Sequence, residues 1–245
     1  MSGSFSRNRV YDEYLIVQEA NHRFANHLAL LSGFVRLKAT DLARRPVAPT
    51  IAGVQLLLES IRAQIEAIAR LSRTLALGGA RSPVDLGEHL GAICAPLSSL
   101  LAGHITMILE ASPGCQVKPD RILPLTQIVV EVITNAAKHA YPSGHAGWLL
   151  VRSHEDNTGT IVVEIVDDGP GFPDGFDAAK DCGLGFQLIH ALAKHLGALI
   201  EFESGRTGLR FRLTLPHEVE PFCRAQRLDE IVASRTTVEQ GAGEG

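Results

Sequence analysis

The chain has 245 residues, 23 of them Lys or Arg against 27 Asp or Glu, with a formal charge of −4 and a pI near 6.2; it has no basic footprint, which argues against nucleic-acid binding. No apolar run approaches the ~20 residues needed to span a bilayer, and Met1-Ser2-Gly3-Ser4 lacks the apolar core of a signal peptide, so no membrane insertion and a cytoplasmic location are expected. Cys94, Cys115, Cys182 and Cys223 show no close paired spacing, which argues against a zinc site and fits reduced thiols.

From Tyr11 to Ala39, apolar residues recur at Val17, Phe24, Leu28, Leu31 and Val35. Val54, Leu58, Ile61, Ile65, Ile68 and Leu75 repeat this three-and-four spacing, so two coiled-coil-like helices are predicted. Between them, Thr40 to Thr50 holds Arg44, Arg45, Pro46 and Pro49, a turn that folds the pair into an antiparallel hairpin. Two helices with one apolar stripe each cannot enclose a core, whereas two hairpins can form a four-helix bundle, so a homodimer is expected. At about 100° per residue, His22 lies roughly 140° from the first seam and should be accessible. His27, on another part of that helix, is expected to pack.

Val129 to Ala140 reads as a helix whose apolar face is Val129, Val132, Ile133, Ala136 and Ala137. Glu131, Asn135, Lys138 and His139 share another face at i, i+4, i+7 and i+8. An amide oxygen and a carboxylate are hard ligands that suit Mg²⁺ beside substrate phosphates, and Lys138 and His139 can meet phosphate oxygens. Next, Gly159 to Val166 reads as an apolar strand running into Asp167-Asp168-Gly169-Pro170-Gly171, where glycine permits a tight turn beside a ligand. Asp167, at the strand end, is placed to accept a hydrogen bond from a base amino group. Gly183-Leu184-Gly185 then opens a helix through Phe186, Leu188, Ile189, Leu192 and Leu196; such a start offers backbone N–H groups and a positive dipole end to phosphate.

Taken singly, each of these features is common; their order on one chain resembles the ATP-binding domain shared by gyrase-type ATPases, heat-shock ninety chaperones, histidine kinases and MutL, over roughly residues 85–216. The resemblance implies Mg²⁺ at Asn135, with Glu131 as the acidic residue of the same box and Lys138 and His139 near the phosphates. It also implies that Asp167 recognises adenine, that Gly169 and Gly171 line the base pocket, and that Gly183, Leu184 and Gly185 approach the phosphates. Residues 172–182 would form a short ATP lid. One departure is Gly208-Leu209, where the family usually has Gly-Thr, which removes a hydroxyl near the adenine.

Upstream, Glu19-Ala20-Asn21-His22-Arg23-Phe24-Ala25-Asn26 resembles the phosphoacceptor box of the histidine kinase subgroup that carries His-Arg-x-x-Asn. This subgroup is similar to the HWE kinases, although their Trp-x-Glu is absent, Trp148 being followed by Leu149-Leu150, and a lysine often found before the asparagine is Ala25. A neutral imidazole, with a pKa of about 6.5, is a competent nucleophile near neutral pH. Glu19, one turn before His22, can orient or deprotonate the ring, and Asn26, one turn after, can place a water for dephosphorylation; both can equally be ordinary surface residues. The histidines at 89, 104, 145, 154, 190, 195 and 217 form no ligand pair at metal-site spacing.

The expected fold is α+β: a dimerising phosphotransfer hairpin at 8–80, an α/β sandwich at 81–217 whose mixed sheet backs the ATP site, and a partly disordered tail at 218–245. Expected strands are His104–Glu110, Gln116–Lys118, Gly147–His154, Thr160–Asp167, Ala198–Glu203 and Gly208–Leu215. The implied function is ATP- and Mg²⁺-dependent autophosphorylation of His22 and transfer to a response-regulator receiver aspartate. No recognisable sensor domain fits before Tyr11, so input is expected through a partner, the tail or redox state, or else the chain is expected to be a truncated or orphan kinase. Two rivals are a phosphotransfer adaptor whose second domain has lost ATP, and a serine kinase of the anti-sigma type, which would not need the hairpin.

Overall fold

The computed structural model describes residues 4–44, 48–76, 83–141, 145–173, 175–176 and 183–216. Through Leu215 the chain forms one compact unit, and the tail expected at 218–245 lies outside the described residues. Two long helices come first, α1 (Ser4–Arg44) and α2 (Ile51–Ala76); α1 runs on through the first half of the turn expected at Thr40 to Thr50, and residues 45–47 of that turn lie outside the described residues. His22 and Glu19 lie on α1, with side chains outside the described residues.

The stripe read as a hairpin seam is largely open. Phe24, Leu28 and Val35 on α1 and Val54, Leu58 and Ile65 on α2 are exposed. The buried stripe of α2, Leu56, Ser60, Ala63, Gln64, Ala67, Ile68 and Leu71, shares only Ile68 with the predicted one, and it packs against α3 (Leu86–Leu101) and α4 (Pro119–His139). Of the apolar stripe assigned to a second copy, Ile68 is thus covered by the chain's own second half. His27 is buried, as expected.

The α3 helix, absent from the sequence reading, is started by Asp85, whose carboxylate accepts the Glu88 N–H at 2.9 Å. Its Leu86, Leu90, Ile93 and Leu97 are all in the core. Helix α4 begins at Pro119, where a missing N–H is harmless, ten residues before the start read from periodicity. Asp120 in its first turn and Lys138 and His139 in its last match the helix dipole.

The main sheet has the order β2-β4-β5-β7-β6, built from β2 (Ile105–Ala111), β4 (Gly147–Glu155), β5 (Ile161–Asp167), β6 (Leu199–Gly205) and β7 (Gly208–Leu215). Only β2 and β4 are parallel. The strand expected at Gln116–Lys118 is instead β3 (Gln116–Val117), a two-residue ribbon with β1 (Val84–Asp85) apart from this sheet. Leu149, Val151, Val163, Ile165, Phe211 and Leu213 join the helices in one core. On the alternate positions Glu110, Arg152, Glu164, Arg212 and Glu201 are in register across all five strands, and Arg152 reaches Glu110 at 2.7 Å and Glu164 at 3.6 Å. Opposite charges on neighbouring strands suit a water-facing sheet surface. Helix α5 (Leu184–Leu196) ends at Gly197, at φ 64°, with Ala198 N–H donating to the Ala193 carbonyl at 2.9 Å, a closure that favours glycine.

Candidate nucleotide site

Where β5 ends, the chain must turn between α4 and β7, and glycines make that possible. A Cβ at Gly208, which has φ +136°, would lie 1.9 Å from the Asp167 carbonyl oxygen, and one at Gly169 would lie 2.5 Å from the Ala140 Cβ. A Cβ at Gly171, at φ +72°, would meet the Gly205 carbonyl at 2.4 Å. The turn is therefore held tightly to its neighbours, and Asp167 is buried at its root with 5% exposure.

The two consecutive aspartates part company. Asp167 Oδ1 accepts the N–H groups of Gly169 at 3.0 Å and Leu209 at 3.3 Å. Among the described residues both donors are on Oδ1, so Oδ2 is the oxygen left for a ligand. Burial raises the Asp167 pKa above the ordinary carboxylate value, opposed by these two bonds. Asp168 instead accepts the Trp148 N–H at 2.8 Å and the Tyr141 hydroxyl at 3.0 Å, which fixes the start of β4. Burial, reinforced by Asp168, pushes the Tyr141 phenol up.

A cavity of about 560 Å³ opens beside Asp167, a volume ordinary for a small-molecule site. Glu131, Asn135, Lys138 and His139 of α4 line it, with Gly171, Gly183, Leu184 and Gly185. The structure thus brings together all but one of the predicted residues of the second domain; Gly169 packs on Ala140 and is not a wall. Asn26 is exposed on α1. Cys182 and most of the lid lie outside the described residues, whereas Cys94 and Cys115 are buried free thiols whose pKa values burial raises to about 12 and about 11.

Sequence reasoning missed three sets of residues. Phe172 and Phe176 stack at 4.4 Å between centroids and Phe186 and Phe202 at 4.5 Å, while Phe202 and Phe211 meet tilted at 5.1 Å, so an aromatic cluster walls the cavity. Leu209, singled out in the sequence only for a missing hydroxyl, lines the cavity while its N–H holds Asp167. Helix α1 supplies a wall through Leu37, Lys38 and Asp41. Lys38 is 6% exposed, and its ammonium reaches Glu131 Oε1 at 2.8 Å and Oε2 at 2.5 Å. Glu131 in turn lies against α5, since a Cβ at Gly185 would be 2.0 Å from its Oε1.

This donor set fits a nucleotide with its metal. A buried carboxylate suits a base amino group, the amide of Asn135 a hard cation, and Lys138 phosphate oxygens. Helix α5 begins at Gly183 with no side chain capping its first N–H groups, which suits anions. No group of three or more His, Cys, Asp or Glu among the described residues could hold a metal by itself, so a cation here would share its shell with phosphate and water.

Fold and cavity together define an ATP-binding sandwich preceded by a helical hairpin. Residues 120–219 match the family described as histidine kinase-, DNA gyrase B-, and HSP90-like ATPase, and residues 19–101 match a histidine kinase family model. The chain belongs to the histidine kinases, and its His-Arg-x-x-Asn box lies within the second of these matches. It is 25% identical over 220 residues to blue-light-activated histidine kinase 2 of Erythrobacter litoralis, covering 88% of this chain and 61% of that protein. It is 27% identical over 178 residues to the sensor histidine kinase PdtaS of Mycobacterium tuberculosis, covering 72% and 34%. The chain therefore spans less than two thirds of these relatives. Among solved structures, the histidine kinase domain of the Erythrobacter litoralis blue-light activated kinase superposes with a TM-score of 0.62 at 24% identity, over 82% of this chain and 92% of that one, a likeness of fold. No helix among the described residues is long and apolar enough to cross a membrane.

Proposed function

We propose that the chain phosphorylates itself on His22 and passes the phosphoryl group to an aspartate of a response-regulator receiver domain, acting in the cytoplasm, where its cosubstrate is found. The observation that carries this reading is that one cavity is walled by the Asp167 turn, by Asn135 and Lys138 of α4, by the uncapped start of α5 and by the helix that bears His22. ATP with Mg²⁺ supplies the phosphoryl group. Asp167 selects the base, Asn135 holds the metal, Lys138 and the N–H groups at Leu184 and Gly185 neutralise phosphate charge, and Gly171 lets the backbone approach. The tasks are positioning and charge neutralisation, which are what phosphoryl transfer demands. The lone pair of the His22 imidazole forms the N–P bond as the bond to ADP breaks, and Glu19 takes the ring proton. Asn26 places the water for the reverse loss of phosphate.

In this reading the chain works as a phosphotransfer hairpin at 8–80 and a catalytic domain at 81–217. The exposed stripe of Phe24, Leu28, Val35, Val54, Leu58 and Ile65 supports a homodimer through the hairpin, and light scattering at micromolar concentration should give twice the chain mass. Incubation with γ-labelled ATP and Mg²⁺ tests the activity: label should enter the protein and leave on addition of a receiver domain. If ATP labels nothing and a phosphorylated receiver labels the protein instead, it is a phosphotransfer adaptor.

A further inference from the structure

Two buried polar contacts, four residues apart on α4, join the hairpin to the ATP-binding half. At Glu131 the partner is Lys38 of α1, at 2.8 and 2.5 Å. At Gln127 the partner is Gln64 of α2, whose Oε1 accepts the Gln127 Nε2–H at 3.1 Å. Both glutamines are essentially fully buried, and among the described residues Gln64 Nε2 and Gln127 Oε1 find no partner. A half-satisfied buried pair makes an interface weaker than an apolar one of the same shape. The ion pair is the specific element of this contact, because removing either partner would leave a charge buried alone.

Geometry says what separation would accomplish. The cavity touches α1 at Leu37, Lys38 and Asp41. His22 lies 16 positions before Lys38 on the same unbroken helix, which at 1.5 Å per residue places it about 24 Å away along the axis. A phosphate at the start of α5 is then out of reach of His22 while Lys38 is docked. Glu131, meanwhile, is engaged by an ammonium of this chain.

We propose that Lys38 is a latch: its ion pair with Glu131 holds the hairpin docked in a resting state, and its release frees the ATP-binding half to reach His22. The proposal deepens the kinase reading and rests on it for its functional meaning. The docked and released states form an equilibrium that mutations shift by their differential effect on the two.

The test uses the full chain and measures both initial autophosphorylation rate and amide hydrogen exchange over residues 31–44 and 127–139. Lys38→Met should raise the rate by about fivefold or more and speed exchange in both segments. Lys38→Arg, which keeps the cation, should stay near wild type. Gln64→Met with Gln127→Met, which removes the unsatisfied pair and strengthens docking, should move both readouts the other way. A Lys38→Met protein with a lower rate and unchanged exchange would overturn the latch and make Lys38 a nucleotide ligand; unchanged rate and exchange would also overturn it. If wild type and variants all fail to label, the kinase reading fails, and the exchange comparison alone still decides whether Lys38 holds the halves together.

Discussion

The backbone N–H of Leu209 donates to Oδ1 of Asp167 at 3.3 Å, across 42 residues of chain. The sequence departs from its family at Leu209 by losing a hydroxyl, yet the main chain there still holds the carboxylate. Main-chain donation is independent of the side chain, so this departure leaves Asp167 oriented.

Asp167→Asn should abolish most nucleotide binding while sparing the fold. Asparagine keeps an Oδ1 for the Gly169 and Leu209 N–H groups and removes a buried charge, but it lacks the carboxylate proposed to read the base amino group. Losing a charge-assisted hydrogen bond of ~1.5–3 kcal/mol weakens binding roughly 10- to 100-fold. Calorimetry with Mg·ADP should show that loss with an unchanged melting temperature; unchanged affinity would remove Asp167 from the site.

Gly208→Ala should destabilise the protein by roughly 3 kcal/mol or more, because positive-φ strain adds to a collision that neither backbone can relieve cheaply. The control is Gly103→Ala, where φ is +106° but nothing lies within 4 Å of the new Cβ; it should cost only the strain, roughly 1 kcal/mol. Equal costs in denaturant unfolding would show that the close approach to Asp167 is not tight.

Stability should fall on acidification through His89. Thr126 donates its hydroxyl to the Ile122 carbonyl at 2.8 Å, so at 2.7 Å its oxygen accepts from His89 Nε2, which places a ring proton on Nε2. Burial, with Arg70 second, lowers the His89 pKa to about 4. Between that value and the unfolded value near 6.5, the unfolded chain takes up a proton that the folded chain refuses, so stability is lost as pH drops through this window. The loss from pH 7 to pH 5 should be about 2 kcal/mol, at 1.36 kcal/mol per unit. His89→Gln should flatten the profile over that range, and an unaltered profile would assign the acid loss to other groups.

How much the sequence disclosed depended on whether local pattern or distant partners decided an element. The stripe of Glu131, Asn135, Lys138 and His139, the Asp167 turn and the start of α5 were legible because spacing and glycine carry them. Helix α3 was not: Gly87, Gly91 and Pro96 weaken its local preference, and burial of Leu86, Leu90 and Leu97 sustains it. Pro119 and Pro124 likewise hid the first half of α4. On α1 and α2 the apolar spacing picked out the exposed stripe. The buried one contains His27, Lys38, Ser60 and Gln64, polar residues made tolerable by contacts such as those to Glu131 and Gln127. An ion pair spanning 93 positions leaves no local pattern.

The central claim is tested most directly by labelling His22→Ala beside wild type with γ-labelled ATP and Mg²⁺, leaving His27 in place. Wild type should acquire an acid-labile, base-stable adduct, as a nitrogen–phosphorus bond requires, and His22→Ala should acquire none. An adduct that survives acid, or one that persists in His22→Ala, would contradict the account.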